Sequence, residues 1–115
     1  MIIVLTIALG GCFTMLGLAK VVGAAGMPAR AAHVGFTSAA YKRIGALELL
    51  AAVGLLLGLV EAWIGLAAAV GLVLLMAGAC VSHLRNGDGP REIAPAVVMT
   101  AGLVSYLVLV AAATG

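Results

Sequence analysis

Charged and aromatic residues are scarce in this chain, and their scarcity excludes several classes of protein. Only 9% of the 115 residues are charged and 4% are aromatic, whereas 65% are hydrophobic. A soluble domain carries about 25% charged residues, so we expect an integral membrane protein. The net charge of +2 is too small to indicate a nucleic-acid partner. The length leaves room for one membrane domain, residues 1–115, and none for a second.

Cysteine is also rare, and this limits metal and redox chemistry. Cys12 and Cys80 each lie inside an apolar run and form no Cys-x-x-Cys pair, so we predict no metal site. Each is typical of a small buried hydrophobe, and whether the two approach each other stays open. A basic leader and a cleavage site are missing after Met1, so we expect the first apolar run to be retained as a membrane helix.

Four apolar runs approach the 20 residues or so that a bilayer-spanning helix needs. They cover about residues 2–22, 39–60, 64–84 and 91–113, and a short interfacial segment with Arg30 and His33 is predicted at about 28–35. Either Gly23 or Gly26 is predicted to end the first helix, and Ser38 is predicted to be the N-cap of the second. We therefore predict an all-α fold, a polytopic four-helix bundle in the cell membrane.

Basic side chains are confined to two of the three breaks between these runs. The first and third breaks, with the run ends beside them, hold all six: Lys20, Arg30, Lys42, Arg43, Arg85 and Arg91. Cytoplasmic loops carry an excess of Lys and Arg. Both termini are therefore predicted to lie on the non-cytoplasmic side.

Glu48 is the residue around which the candidate site is built. It lies inside the second run, about 6–9 Å beyond the helix entry at 1.5 Å per residue, and a carboxylate within a membrane segment is costly and often functional. Helices two and three should be adjacent and antiparallel, since only residues 61–63 join their runs. We expect this arrangement to bring His83 within a hydrogen bond or one water of Glu48.

Glu48 and His83 are thus the candidate catalytic, proton-handling pair in a cavity open to the cytoplasm. Burial favours a neutral carboxyl group and a nearby cation favours the charged form, a combination that suits acid–base work. The competing interpretation is that Glu48 pairs with Arg43, Lys20 or His83 only to hold the helices together. The full set of candidate ligand-binding residues is Lys20, Glu48, Met76, Cys80, His83, Arg85 and Asp88.

Two stretches resemble the DoxX-like family of small four-helix membrane proteins. They are Ile44-Gly45-x-x-Glu48-x-x-Ala51-Ala52-x-Gly54-Leu55 and Ala69-x-Gly71-Leu72-x-x-x-Met76-x-Gly78-Ala79-x-x-x-His83-x-Arg85-x-x-Asp88. Lys20 also resembles the end of that family's first helix. The resemblance implies a shared cavity at Lys20, Glu48, His83 and Asp88. It also implies kinship with subunits of thiosulfate:quinone oxidoreductase, which makes a quinone the candidate cofactor.

Three functions remain open at this point. The first is a pocket for a small lipophilic molecule, a quinone or isoprenoid, in a membrane redox subunit. The second is a stand-alone enzyme that uses Glu48 as acid or base on a lipid-soluble substrate, in an isomerisation, cyclisation or epoxide opening. The third is a structural or assembly partner without chemistry. The expected partners are the lipid bilayer, the ligand, and either a second copy of the chain or a membrane redox protein.

Overall fold

Four helices make up most of the chain in the computed structural model, which describes residues 1–23, 29, 32 and 37–114. We number them α1 (Ile2–Val22), α2 (Ser38–Leu57), α3 (Ala62–Arg85) and α4 (Pro90–Thr114). The all-α prediction is confirmed. The predicted interfacial segment at 28–35, with Arg30 and His33, lies outside the described residues apart from positions 29 and 32.

Glycine, proline and a hydroxyl side chain set the helix ends. Gly23 ends α1 in the left-handed conformation (φ 64°), as predicted, and Pro90 begins α4. The N-cap prediction for α2 was wrong by one residue. Thr37, in an extended conformation, accepts a hydrogen bond from the Ala40 N–H through its hydroxyl at 3.0 Å, because only the residue before the first helical turn can reach that amide.

Three of the four helices are long and apolar enough to cross a membrane: α1, α3 and the Ile93–Thr114 part of α4. Helix α2 is less apolar because its 20 residues include Lys42, Arg43 and Glu48. Its charges are nevertheless segregated. Lys42 and Arg43 are exposed in its first turns, Glu48 is fully buried, and its later exposed face consists of Leu47, Leu50, Val53, Leu56 and Leu57.

The helices pack in sequence, with α1 on α2, α2 on α3, α3 on α4, and a smaller contact between α1 and α4. Phe13, Leu55, Leu72, Leu103 and Tyr106, contributed by all four helices, are at most 1% exposed and form the centre of the core. Large apolar side chains also cover the outer surface. That surface is typical of a protein surrounded by lipid.

Small residues let α2 and α3 meet closely beside the turn that joins them. A Cβ added at Gly54 would lie 2.8 Å from Ala68 Cβ, and one at Gly58 would lie 2.6 Å from Gly65 Cα. The two helices therefore run antiparallel, as predicted, with the Gly54-x-x-x-Gly58 pair in the contact. The second run was predicted to remain helical to residue 60, but α2 ends at Leu57, and residues 58–60 form the turn.

Candidate functional site

The site begins with the crossing of α1 and α2 at two glycines. A Cβ added at Gly17 would lie 2.6 Å from the Gly45 carbonyl oxygen, and one at Gly45 would lie 2.7 Å from the Gly17 carbonyl oxygen. Any larger residue at either position would force the helices apart. Lys20 and Glu48 each follow one of these glycines by three residues, so each lies on the same helix face as its glycine.

This close crossing brings the Lys20 ammonium into contact with the Glu48 carboxylate. Lys20 Nζ donates a hydrogen bond to Glu48 Oε1. Nζ also lies over the ring of Tyr41, 5.2 Å from its centroid, in a cation–π contact. The Lys20 side chain is 13% exposed and that of Glu48 is 0% exposed. The charge of the ammonium thus offsets part of the cost of burying a carboxylate in this apolar environment.

The second carboxylate oxygen of Glu48, Oε2, is not part of this ion pair. Oε2 is buried, and it has no hydrogen-bond partner among the residues that the structure describes. A buried polar oxygen without a partner costs about 1–3 kcal/mol, so such atoms in native proteins usually have a function or a further partner. Oε2 can accept a hydrogen bond when Glu48 is ionised and can donate one when Glu48 carries a proton there.

A cavity of about 390 Å³ adjoins this pair, between α2 and α3. Helices α1 and α2 contribute Lys20, Tyr41, Ile44 and Glu48 to its wall. The α3 wall consists of Gly71, Leu74, Leu75, Met76, Gly78, Ala79, Ser82 and His83. The volume and the mostly apolar lining with a few polar groups are typical of small-molecule sites.

Two glycines keep the α3 side of this cavity wide. A Cβ added at Gly71 or Gly78 would meet no atom within 4 Å, which contrasts with the tight glycines of the α1–α2 crossing. Both positions are exposed, and neighbouring Leu74 is 69% exposed. The cavity is therefore open at the outer surface of the helices, where lipid would lie.

His83 forms the end of the cavity beside the turn after α3. Its Nδ1 lies 2.6 Å from Asp88 Oδ2, and the backbone N–H of Asp88 donates to the His83 carbonyl oxygen at 2.9 Å. The left-handed Gly87 (φ 76°) turns the chain so that Asp88 returns to the histidine. The side chains of His83 and Asp88 are 25% and 8% exposed.

The structure brings together some of the candidate residues and separates others. Lys20, Glu48, Met76 and His83 line one cavity, and Asp88 joins it through His83. Cys80 is outside the lining and packs partly buried against the core, and Arg85 is exposed. Cys12 and Cys80 are free thiols.

The hydrogen bonds differ from those expected, because Glu48 bonds to Lys20 and His83 bonds to Asp88. The two candidate catalytic side chains share a cavity without a bond to each other among the described contacts. No group of three or more potential metal ligands occurs in the described part of the chain.

Sequence reasoning missed Tyr41, Ser82 and the two open glycines of the cavity wall. Gly71, Leu75, Gly78 and Ser82 recur every three to four residues, so they lie along one face of α3. That spacing was readable from the sequence. The open space in front of this face was not, since nothing in α3 itself shows where α2 stops covering it.

Comparison with known proteins gives one positive result. A family model described as the DoxX-like family matches residues 4–106, so the chain belongs to that family. Comparisons with curated proteins and with solved structures give no match.

Proposed function

We propose that this DoxX-like membrane protein binds a small lipophilic molecule of the quinone or isoprenoid type in the cavity between α2 and α3. The observation that carries the proposal concerns the fully buried Glu48, which lies in the wall of a largely apolar cavity. Its Oε2 has no hydrogen-bond partner within the described residues. A ligand with one polar group would satisfy this oxygen once the Glu48 carboxyl group rotates toward the cavity, and would place its apolar part against α3. The bound ligand would recover the hydrogen bond that Oε2 lacks.

Lys20 adds a second point of recognition. Its ammonium carries three donors, and among the described residues its hydrogen bond is the one to Glu48 Oε1. A ligand hydroxyl beside the pair could therefore accept from Lys20 and donate to Oε2 of ionised Glu48. A carbonyl oxygen could accept from Lys20 and also from Glu48 when Oε2 carries a proton. A quinone carbonyl, once reduced, needs a proton, and Lys20 and Glu48 could hold one there.

The polar end of the cavity lies toward the breaks that contain the basic residues. Lys20 is near the end of α1, Tyr41 near the start of α2, and His83 near the end of α3. Because cytoplasmic loops carry an excess of Lys and Arg, this end of the cavity is expected to face the cytoplasm. We further propose that α2 spans the membrane with the other helices and that the protein serves as a subunit of a cell-membrane redox system, as the family resemblance implies.

Co-purification tests the binding proposal with four proteins in mild detergent. Glu48→Gln alters the oxygen that meets the ligand, and Gly78→Leu fills the cavity from a position where an added Cβ meets nothing within 4 Å. Gly11→Leu is the matched control, because Gly11 is equally open and lies on α1, outside the cavity lining. Bound lipophilic compounds are identified by native mass spectrometry and by extraction.

We expect wild type and Gly11→Leu to retain the same compound, and the two site variants to lose it while remaining folded. An empty wild type, together with a Glu48→Gln variant that is only less stable, would favour a purely structural role for the pair. Chemical conversion of the retained compound by wild type, absent in Glu48→Gln, would instead identify an acid–base enzyme.

A further inference from the structure

The contact between His83 and Asp88 fixes the position of a proton. An ionised aspartate can only accept hydrogen bonds, and a neutral imidazole carries its proton on one nitrogen. Because His83 Nδ1 lies 2.6 Å from Asp88 Oδ2, that nitrogen is the donor to an ionised aspartate. In the neutral ring, the other nitrogen, Nε2, then has a lone pair and no proton. This is the arrangement by which carboxylates orient histidines in many sites.

The placement of the two side chains makes Nε2 the ring nitrogen available to a ligand. His83 lines the cavity and Asp88 does not, and Asp88 engages Nδ1. The side-chain contact that His83 makes among the described residues runs through Nδ1. Asn86 Nδ2 donates to the other carboxylate oxygen of Asp88, Oδ1, at 3.3 Å.

We infer that Asp88 is a positioning residue that presents His83 Nε2 to the cavity as a hydrogen-bond acceptor, so that the site selects lipophilic molecules carrying a hydroxyl donor. The inference rests on the proposed function, since it assigns a ligand class to the same cavity. A phenol or a hydroquinone satisfies Nε2. A ligand of the same shape with an ether in place of the hydroxyl leaves it unpaired.

The first test reads the proton directly and needs no ligand. Nitrogen-15 labelled histidine is observed by NMR in detergent micelles above the titration range of the ring, and His33→Gln serves only to assign the two histidine signals. We expect neutral His83 to carry its proton on Nδ1 in the wild type. In Asp88→Ala the proton should move to Nε2, while Asn86→Ala, which removes a polar side chain from the same turn, should keep it on Nδ1. A wild type protonated on Nε2 would overturn the inference.

The second test measures selectivity with two probes, 4-nonylphenol and its methyl ether, titrated against the His83 signal. Because the ether leaves Nε2 without a donor once the ligand shields it from water, the wild type should bind the phenol roughly five- to 150-fold more tightly than the ether. The ratio of the two affinities should fall toward one in Asp88→Ala and should stay at the wild-type value in Asn86→Ala.

The two proposals fail in different ways. Equal affinity of the wild type for phenol and ether would overturn the hydroxyl selectivity and leave the proposed function standing. Absence of binding by both probes, or binding unchanged in Gly78→Leu, would overturn the proposed function and the selectivity together.

Discussion

Replacing Lys20 with Met should destabilise the protein by about 3 kcal/mol, because it removes the cation from a carboxylate that has no access to solvent. Glu48 is 0% exposed and Lys20 is its hydrogen-bond partner. Breaking a buried ion pair by removing one member costs about 3–5 kcal/mol. The low end applies here, since the isolated carboxyl group can take up a proton and become neutral.

Removing the carboxylate instead of the ammonium should destabilise the protein less. Glu48→Gln leaves an amide oxygen that can still accept from Lys20, whose side chain is 13% exposed and can move its ammonium toward the interface. We expect a loss of about 1 kcal/mol, the usual value of one hydrogen bond. The double variant, Lys20→Met with Glu48→Gln, buries no charge and should lie within about 1–2 kcal/mol of wild type. The coupling between the two sites is then about 2–3 kcal/mol.

Unfolding in mixed micelles of increasing sodium dodecyl sulfate content measures these values. Circular dichroism reports the helices, and Trp63, the single tryptophan of the chain, reports the α2–α3 turn by fluorescence. Strictly additive losses in the double variant would refute the reasoning, because they would mean that Lys20 and Glu48 contribute to stability independently.

Three further predictions concern packing and capping, and each is measured by the same unfolding titration. Gly45→Ala should lower the free energy of unfolding by about 1–3 kcal/mol, because the added methyl group forces α1 away from α2. Gly71→Ala should leave it unchanged or raise it by up to about 1 kcal/mol, because a Cβ added there meets nothing within 4 Å. Equal effects of the two changes would refute the difference in space around the two glycines. Gly65→Ala should also be destabilising because the new Cβ meets the hydroxyl of Tyr106, and Tyr106→Phe in the same chain should restore part of the loss; no restoration would show that the hydroxyl is not the obstacle. Thr37→Ala should cost about 1 kcal/mol through loss of the α2 N-cap, and an unchanged midpoint would refute the capping role.

Composition and spacing were sufficient to predict the helices, because in lipid every backbone group of a spanning helix must bond within its own helix. The run predicted at 2–22 is α1 to the residue, and the third and fourth runs differ from α3 and α4 by two residues or fewer at each end. The second run was extended too far because residues 58–60 are as apolar as the helix before them. Hydrophobicity alone does not show where a chain turns within an apolar region.

The ion pair was harder to predict than the helices. Lys20 was one of three partners considered for Glu48, and the choice among them depended on the depth at which α1 crosses α2. Gly17 and Gly45 determine that depth, but each is one of 16 glycines in the sequence. The pairing of His83 with Asp88 is local, five residues apart, yet it requires the left-handed Gly87 between them, which sequence spacing alone did not indicate.

Stability and binding can be separated at this site because the ion pair has two roles that different atoms serve. Oε1 of Glu48 holds α1 to α2 through Lys20, whereas Oε2 has no partner in the described chain, and Glu48 lines the cavity. The double variant removes both charges together, so it should remain nearly as stable as wild type. It should nevertheless lose the ligand, because neither the carboxyl group nor the ammonium is present to meet a polar head. A double variant that is stable and still retains the wild-type compound would show that the pair only holds the helices together, and that the cavity binds by its apolar wall or by His83.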